Sequence, residues 1–267
     1  MYLCPVCKTS LTQQTSSWMC TNNHSFDIAK KGYVNLLLSH KMKSKSPGDS
    51  KMMIQARQAF LSAGHYQPLA EAIVKLAGEY GVERMLDAGC GEGYYTNELA
   101  RSGISMAGLD ISKEGISAAC KRDKRIAWCI GSVNDLPYEQ GYFDGVLSVF
   151  CRVDNGEFHR VLRHDGVVIF IGPGDNHLPK LRAGLYEYVR PYEKTKQTEY
   201  LPSFEPLADR SIQFPIALES SEQVHNLLCM TPHYWSTNPA QQQRLLSQGG
   251  LHDTADIQIR VYRRLAT

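Results

Sequence analysis

Residues 84–93, Arg84-Met85-Leu86-Asp87-Ala88-Gly89-Cys90-Gly91-Glu92-Gly93, run a short apolar strand straight into a Gly-x-Gly-x-Gly turn, and residues 94–101 then read as a helix. Glycines let a backbone turn sharply and approach a ligand where any side chain would collide. The spacing differs from the Gly-x-Gly-x-x-Gly of dinucleotide turns, so a nicotinamide enzyme would need a different turn here. Asp110 closes the next apolar run, where a carboxylate can accept both ribose hydroxyls of an adenosine ligand. The alternative reading of Asp110 is an ordinary strand-end carboxylate.

The pattern extends outward from that turn. Apolar runs at 105–109, 126–130, 143–149 and 167–171 are expected strands, and 113–122 and 156–162 are expected helices between them. Strand-helix alternation with short joints predicts a doubly wound, mostly parallel sheet. Beyond Gly172 the pattern weakens, with 211–217 and 257–262 as a late strand pair and 221–230 as one more helix. Upstream, Asp49 or Ser50 is placed to cap a helix through Ala63 that Gly64 stops, and residues 68–80 show helical spacing.

The 267 residues, 43% of them hydrophobic, suffice for one sizeable α/β core and a smaller unit beside it. No apolar run of about 18 residues is present to span a bilayer, and the N-terminus lacks the pattern of a cleaved leader. A soluble cytoplasmic protein is expected. Cys90, Cys120, Cys129 and Cys151 fall inside predicted core elements, where thiols act as small apolar groups, which fits a reducing compartment.

Cys4-x-x-Cys7 followed by Cys20-x-x-x-His24 has the spacing of a closed tetrahedral zinc site. A segment this short cannot build a stable apolar core, so metal binding must supply most of its folding free energy. Four protein ligands leave no open position, which makes the expected Zn2+ structural. Trp18 and Phe26 bracket the third ligand, either packing the module or stacking on bases. Lys8, Lys30, Lys31, Lys41, Lys43, Lys45, Lys51 and Arg57 face only Asp27 and Asp49 in residues 1–60, an excess of six positive charges in a chain of net charge +2. Such a surface is either a solvated linker or a phosphate-contacting face. The domain expectation is therefore 1–38 as a zinc-binding module, 39–65 as a basic linker and helix, and 66–267 as the cofactor-binding domain.

The turn, Asp87 and Asp110 together resemble the seven-strand S-adenosylmethionine-dependent methyltransferases. The whole chain is similar to the RlmA-type 23S ribosomal RNA guanine-N1 methyltransferases, which place a zinc module before this α/β fold. The resemblance is carried by the four zinc positions, by Phe26-Asp27 through Leu37, by Pro47-Gly48-Asp49, and by Arg57 through Tyr66. It continues through Asp87 to Tyr95, Pro173-Gly174-x-x-His177-Leu178 and Met230-Thr231-Pro232. It implies that Asp87, Gly89, Gly91, Gly93 and Asp110 hold the cofactor and that Tyr66, Tyr95 and His177 border it. Read from the residues alone, Tyr94 and Tyr95 either cover a ligand or pack their helix. It also implies that 1–38 is a zinc-binding RNA-recognition module and 66–267 the S-adenosylmethionine-dependent methyltransferase domain; the implied partner is 23S ribosomal RNA, the target a guanine in a loop, and a homodimer is described for relatives of this kind. Guanine N1 lies on the Watson-Crick edge, so the base must be unpaired or turned outward. No residue is assigned as the general base; Asp154, Glu157 and His177 are polar groups near the expected mouth. Cys151 follows Phe150 at the end of an apolar run, without the proline that usually precedes the nucleophilic cysteine of pyrimidine-carbon methyltransferases, and is read as structural. A small-molecule methyltransferase and a silent RNA-binding scaffold are the rival readings.

Overall fold

The computed structural model describes residues 1–42, 44, 47–189 and 201–266. Lys43 and Lys45 of the basic stretch lie outside the described residues. The chain opens with three short strands, β1 (Leu11–Gln13), β2 (Ser17–Cys20) and β3 (Ser25–Asp27), which form an antiparallel sheet in that order. β4 (Tyr33–Asn35) follows, then α1 (Lys51–Ser62) and α2 (Gln67–Glu79). The Ser50 hydroxyl caps α1 by accepting from the Met53 amide, and Gly64 takes the left-handed conformation after its end, at φ +84°.

The core alternates as expected: β5 (Arg84–Ala88), α3 (Tyr94–Arg101), β6 (Ser105–Asp110), α4 (Lys113–Arg122), β7 (Ala127–Ile130), β8 (Phe143–Val149), α5 (Asn155–Val161) and β9 (Leu162–Pro173). After it come α6 (Pro179–Leu185), β10 (Phe204–Leu218), α7 (Ser221–Cys229), α8 (His233–Ser236), α9 (Pro239–Leu246) and β11 (Leu251–Arg264). The large sheet has the order β10-β11-β9-β8-β5-β6-β7-β4. The pairs from β9 to β4 are parallel, and β11 runs antiparallel to both its neighbours. Seven of these strands are those of the expected sheet. The eighth, β4, comes from residues that the sequence reading placed in the first module and adds to the edge beside β7.

Alternation along each strand sends side chains to two different layers. Met85, Leu147 and Ile169 pack with Leu69, Ile73, Leu99, Ile116, Leu181 and Leu227 of the helices on one face. Leu86, Val146 and Val168 face the other side, and there Phe158 and Val161 of α5 share the layer with Tyr2, Cys4, Leu11 and Cys20. The small N-terminal sheet thus covers part of the second face. Tyr2 is buried against Tyr138 with ring centroids 5.3 Å apart, the Leu3 amide donates to Pro137, and the N-terminal ammonium lies 2.8 Å from Glu139. β5 is flanked by β6 and β8, so the strand order reverses around it, and the crevice beyond the carboxyl end of such a strand is where open α/β sheets bind ligands.

Candidate functional site

The parallel strands bring the ends of β5, β6, β8 and β9 to one edge, and with them Asp87, Asp110, Phe150 and Pro173. After β5, Gly89, Gly91 and Gly93 all have positive φ (+90°, +54° and +80°), which L side chains rarely adopt. The space is closed as well. A Cβ on Gly89 would overlap the Cys151 sulfur, one on Gly91 would lie 2.9 Å from the Arg57 guanidinium, and one on Gly93 would lie 2.7 Å from the Trp128 ring. Buried Glu92 ties the turn to α4 through Arg122 at 2.5 Å, and Arg57 pairs with Asp49 at 2.6 Å.

Two buried acids flank this cradle. Asp110 accepts from the Gly91 amide at 2.8 Å and the Ser112 amide at 2.7 Å, while burial raises its carboxyl above the usual range. Asp87 is 2% exposed and accepts from the Thr96 hydroxyl at 2.6 Å through one oxygen, and its other oxygen is buried with no hydrogen-bond partner among the described residues. Burial pushes the Asp87 carboxyl up to about 7, with the Asp110 charge adding to the rise and Thr96 opposing it. An unsatisfied buried carboxylate oxygen costs free energy until a donor reaches it, and a cationic donor gains most.

Farther along the edge, the buried Tyr66 hydroxyl lies 3.5 Å from His177 Nε2. The Asp256 amide donates to His177 Nδ1 at 3.2 Å, so the ring proton belongs on Nε2. Burial holds this imidazole down to about 4, neutral at pH 7. Tyr95 is half-buried against the helix-covered core with its ring 5.1 Å from that of Tyr94.

In the N-terminal module, the Cys4, Cys7 and Cys20 sulfurs and a His24 ring nitrogen all lie within 4.8 Å of one another. Cys7 and Cys20 sulfurs are 3.7 Å apart, and His24 Nδ1 lies 3.5 Å from Cys4 and 3.3 Å from Cys20. Zinc bond lengths require tetrahedron edges of about 3.8 Å between sulfurs and about 3.6 Å from sulfur to nitrogen. The donor set therefore fits zinc in both chemistry and size.

Residues 2–45 match the family described as RlmA, N-terminal, a zinc ribbon, and residues 86–170 match a methyltransferase domain. The protein is 32% identical to YxjB of Bacillus subtilis, which is assigned to the 23S rRNA (guanine-N(1)-)-methyltransferases, over 97% of this chain and 95% of that one. The chain belongs to the 23S rRNA guanine-N1 methyltransferases. The 23S rRNA (guanine(748)-N(1))-methyltransferase of Streptomyces fradiae is 29% identical over 94% of this chain and 91% of its own. Among solved structures, the YcgJ protein from Bacillus subtilis superposes with a TM-score of 0.51 at 13% identity, covering 74% of this chain and 98% of that one. That likeness concerns the methyltransferase fold alone.

As a member of this family the protein is an S-adenosylmethionine-dependent enzyme that methylates a guanine of 23S rRNA, and its zinc ribbon carries a structural metal. All three polar groups considered as the general base are already engaged. Asp154 caps α5 by accepting from the Glu157 amide and holds Asn134 at 3.0 Å, and Glu157 pairs with Arg160 at 2.7 Å and accepts from the Leu136 amide. His177, the third, has its Nδ1 lone pair taken by Asp256. Cys151 packs on Gly89, and burial drives its thiol up to about 12, in keeping with a structural role. Of the basic residues, Lys8 pairs with Asp135 at 2.5 Å and Lys31 bonds Ser117, so part of the positive excess is spent within the fold. Phe150 and Arg57 were not singled out from the sequence as site residues. An aromatic ending an apolar run reads as core, and the Asp49 pairing of Arg57 depends on where the 47–50 segment crosses Ser112.

Proposed function

We propose that this methyltransferase acts on N1 of an unpaired loop guanine, with the cofactor lying along the glycine turn between Asp87 and Asp110. The observation that carries this reading is the oxygen of Asp87 that has no partner among the described residues, beside a turn with no room for a Cβ at Gly89 or Gly93. Asp87 would hold the cofactor's ammonium group and Asp110 its ribose hydroxyls, the latter while still gripping the Gly91 and Ser112 amides. Tyr66, Tyr95 and His177 would border the methionine end. The bound sulfonium supplies an activated methyl group. The chain's own part is to align guanine N1 with that methyl and exclude competing acceptors, which proximity alone can make effective. The proton on N1 leaves to solvent or to a group carried by the RNA, since the three candidate bases are committed elsewhere. The zinc ribbon, residues 1–38 in this reading, together with the exposed Lys30 and Lys51, would contact the RNA backbone and supply affinity, while loop shape supplies selectivity.

The test is methyl transfer from labelled S-adenosylmethionine to unmethylated large-subunit rRNA, followed by mapping reverse-transcription stops. One stop at a loop guanine is expected, because N1 methylation blocks pairing. Incorporation into small metabolites but not into the RNA would favour a small-molecule acceptor instead.

A further inference from the structure

Phe150 combines two features that folding alone does not explain. Its backbone lies in the left-handed region at φ +51°, which a bulky L residue adopts only at a cost, and its side chain is 46% exposed. The strained turn is held from both sides. The Phe150 amide donates to Ile171 of β9 at 2.9 Å, and the Ser148 hydroxyl donates to the Cys151 carbonyl at 3.2 Å. Cys151 is the residue wedged against Gly89, so Phe150 stands one residue from the glycine cradle. Its ring lies 5.8 Å from the His177 imidazole at an interplanar angle of 33°. His177 is itself fixed by Tyr66 and by the Asp256 amide, and Gly174 has no Cβ because Asp256 fills that space at 2.5 Å. A buried, doubly anchored imidazole thus backs a half-exposed ring at the sheet edge, and the strain yields no matching burial.

We infer that Phe150 is the platform on which the extruded guanine stacks, its ring lying against the anchored His177 imidazole. This deepens the proposed function and rests on it. An unpaired purine offers a large π face, and an aromatic side chain at the mouth binds that face without needing a hydrogen bond to it. Seated there, the base would present its Watson-Crick edge toward the neighbouring cradle. Such a platform would give no selectivity among purines, which must come from contacts to the base edge and from the RNA loop.

The decisive variant is Phe150→Asn. Asparagine tolerates the left-handed backbone, so the variant relieves strain while deleting the ring. Single-turnover methyl transfer to unmethylated large-subunit rRNA should fall about 10- to 100-fold. The cofactor dissociation constant should stay within about twofold and the melting temperature should hold or rise. Phe150→Tyr should recover the rate to within about threefold. In Phe150→Trp, indole emission should be quenched on RNA binding beyond the change seen in the unaltered protein. An Asn variant that methylates at the original rate overturns the inference, as does one that loses activity only in step with lost thermal stability. An unaltered protein that binds cofactor but leaves the RNA unmethylated removes the proposed function and the platform together. An active unaltered protein with an equally active Asn variant removes only the platform.

Discussion

Replacing Asp87 with asparagine should separate what this residue costs the empty fold from what it does for the cofactor. In the folded chain burial holds the carboxyl at about 7, against an ordinary 3.8 once the chain unfolds. A group whose folded value is raised contributes stability fully below its unfolded value and loses that contribution as pH rises through the folded one, here between 3.8 and about 7. At pH 5 only part of this loss has occurred; by pH 8 it is complete. The difference corresponds to nearly two pH units, or about 2.5 kcal/mol. Asparagine fills the same space, can accept from Thr96 and does not titrate, so other ionisations cancel when the two proteins are compared. Urea unfolding of the cofactor-free proteins at pH 5 and pH 8 should show the variant gaining about 2.5 kcal/mol on the original chain over that interval. The same variant should lose cofactor affinity by about tenfold or more, because a neutral amide replaces the carboxylate proposed to hold the ammonium group. A stability gap that does not change with pH would refute the argument that a buried, unsatisfied carboxylate sits at the end of β5.

Asp110→Asn should weaken cofactor binding about tenfold or more while leaving the circular dichroism spectrum unchanged, since one amide oxygen can still accept from the turn. Unaltered affinity by calorimetry would remove its ribose role. Gly108→Ala should destabilise the chain by about 3 kcal/mol in thermal or urea unfolding. Its new Cβ would overlap the Trp128 ring, which is 1% exposed and tethered through its indole N–H to the Asp123 carbonyl at 2.8 Å. Cys7→Ser should reduce bound zinc and RNA affinity, and it should also lower the melting temperature of the whole chain, because Cys4 and Cys20 share a packed layer with Leu86 and Val146. A zinc-depleted variant whose main unfolding transition does not move would show that the ribbon contributes nothing to the sheet.

The glycine turn, the alternation of strands and helices, the α1 cap at Ser50 and the four zinc positions were all legible in the sequence. Each depends on a few neighbouring residues: backbone dihedrals only glycine adopts readily, a hydroxyl within reach of an amide three residues on, ligand pairs on tight turns. The short helix α6 was not legible. Its second and third amides are satisfied by Asp253, which accepts from Lys180 at 3.1 Å and Leu181 at 2.7 Å, across more than seventy residues of chain. The placement of His177 likewise depends on Asp256 in β11, and the burial of Asp87 on the helices and strands packed around it. The same holds for β4, three residues long and without a repeating pattern, whose membership in the large sheet is decided by pairing with β7. Sequence by itself determined the fold class, the metal-ligand cluster and the glycine turn, because those rest on local backbone and ligand chemistry. Tertiary structure alone decided that the ribbon shares the sheet's second face, that one oxygen of Asp87 lacks a partner among the described residues and that Phe150 stands exposed on a strained turn, because burial and strain are set by residues distant in the chain.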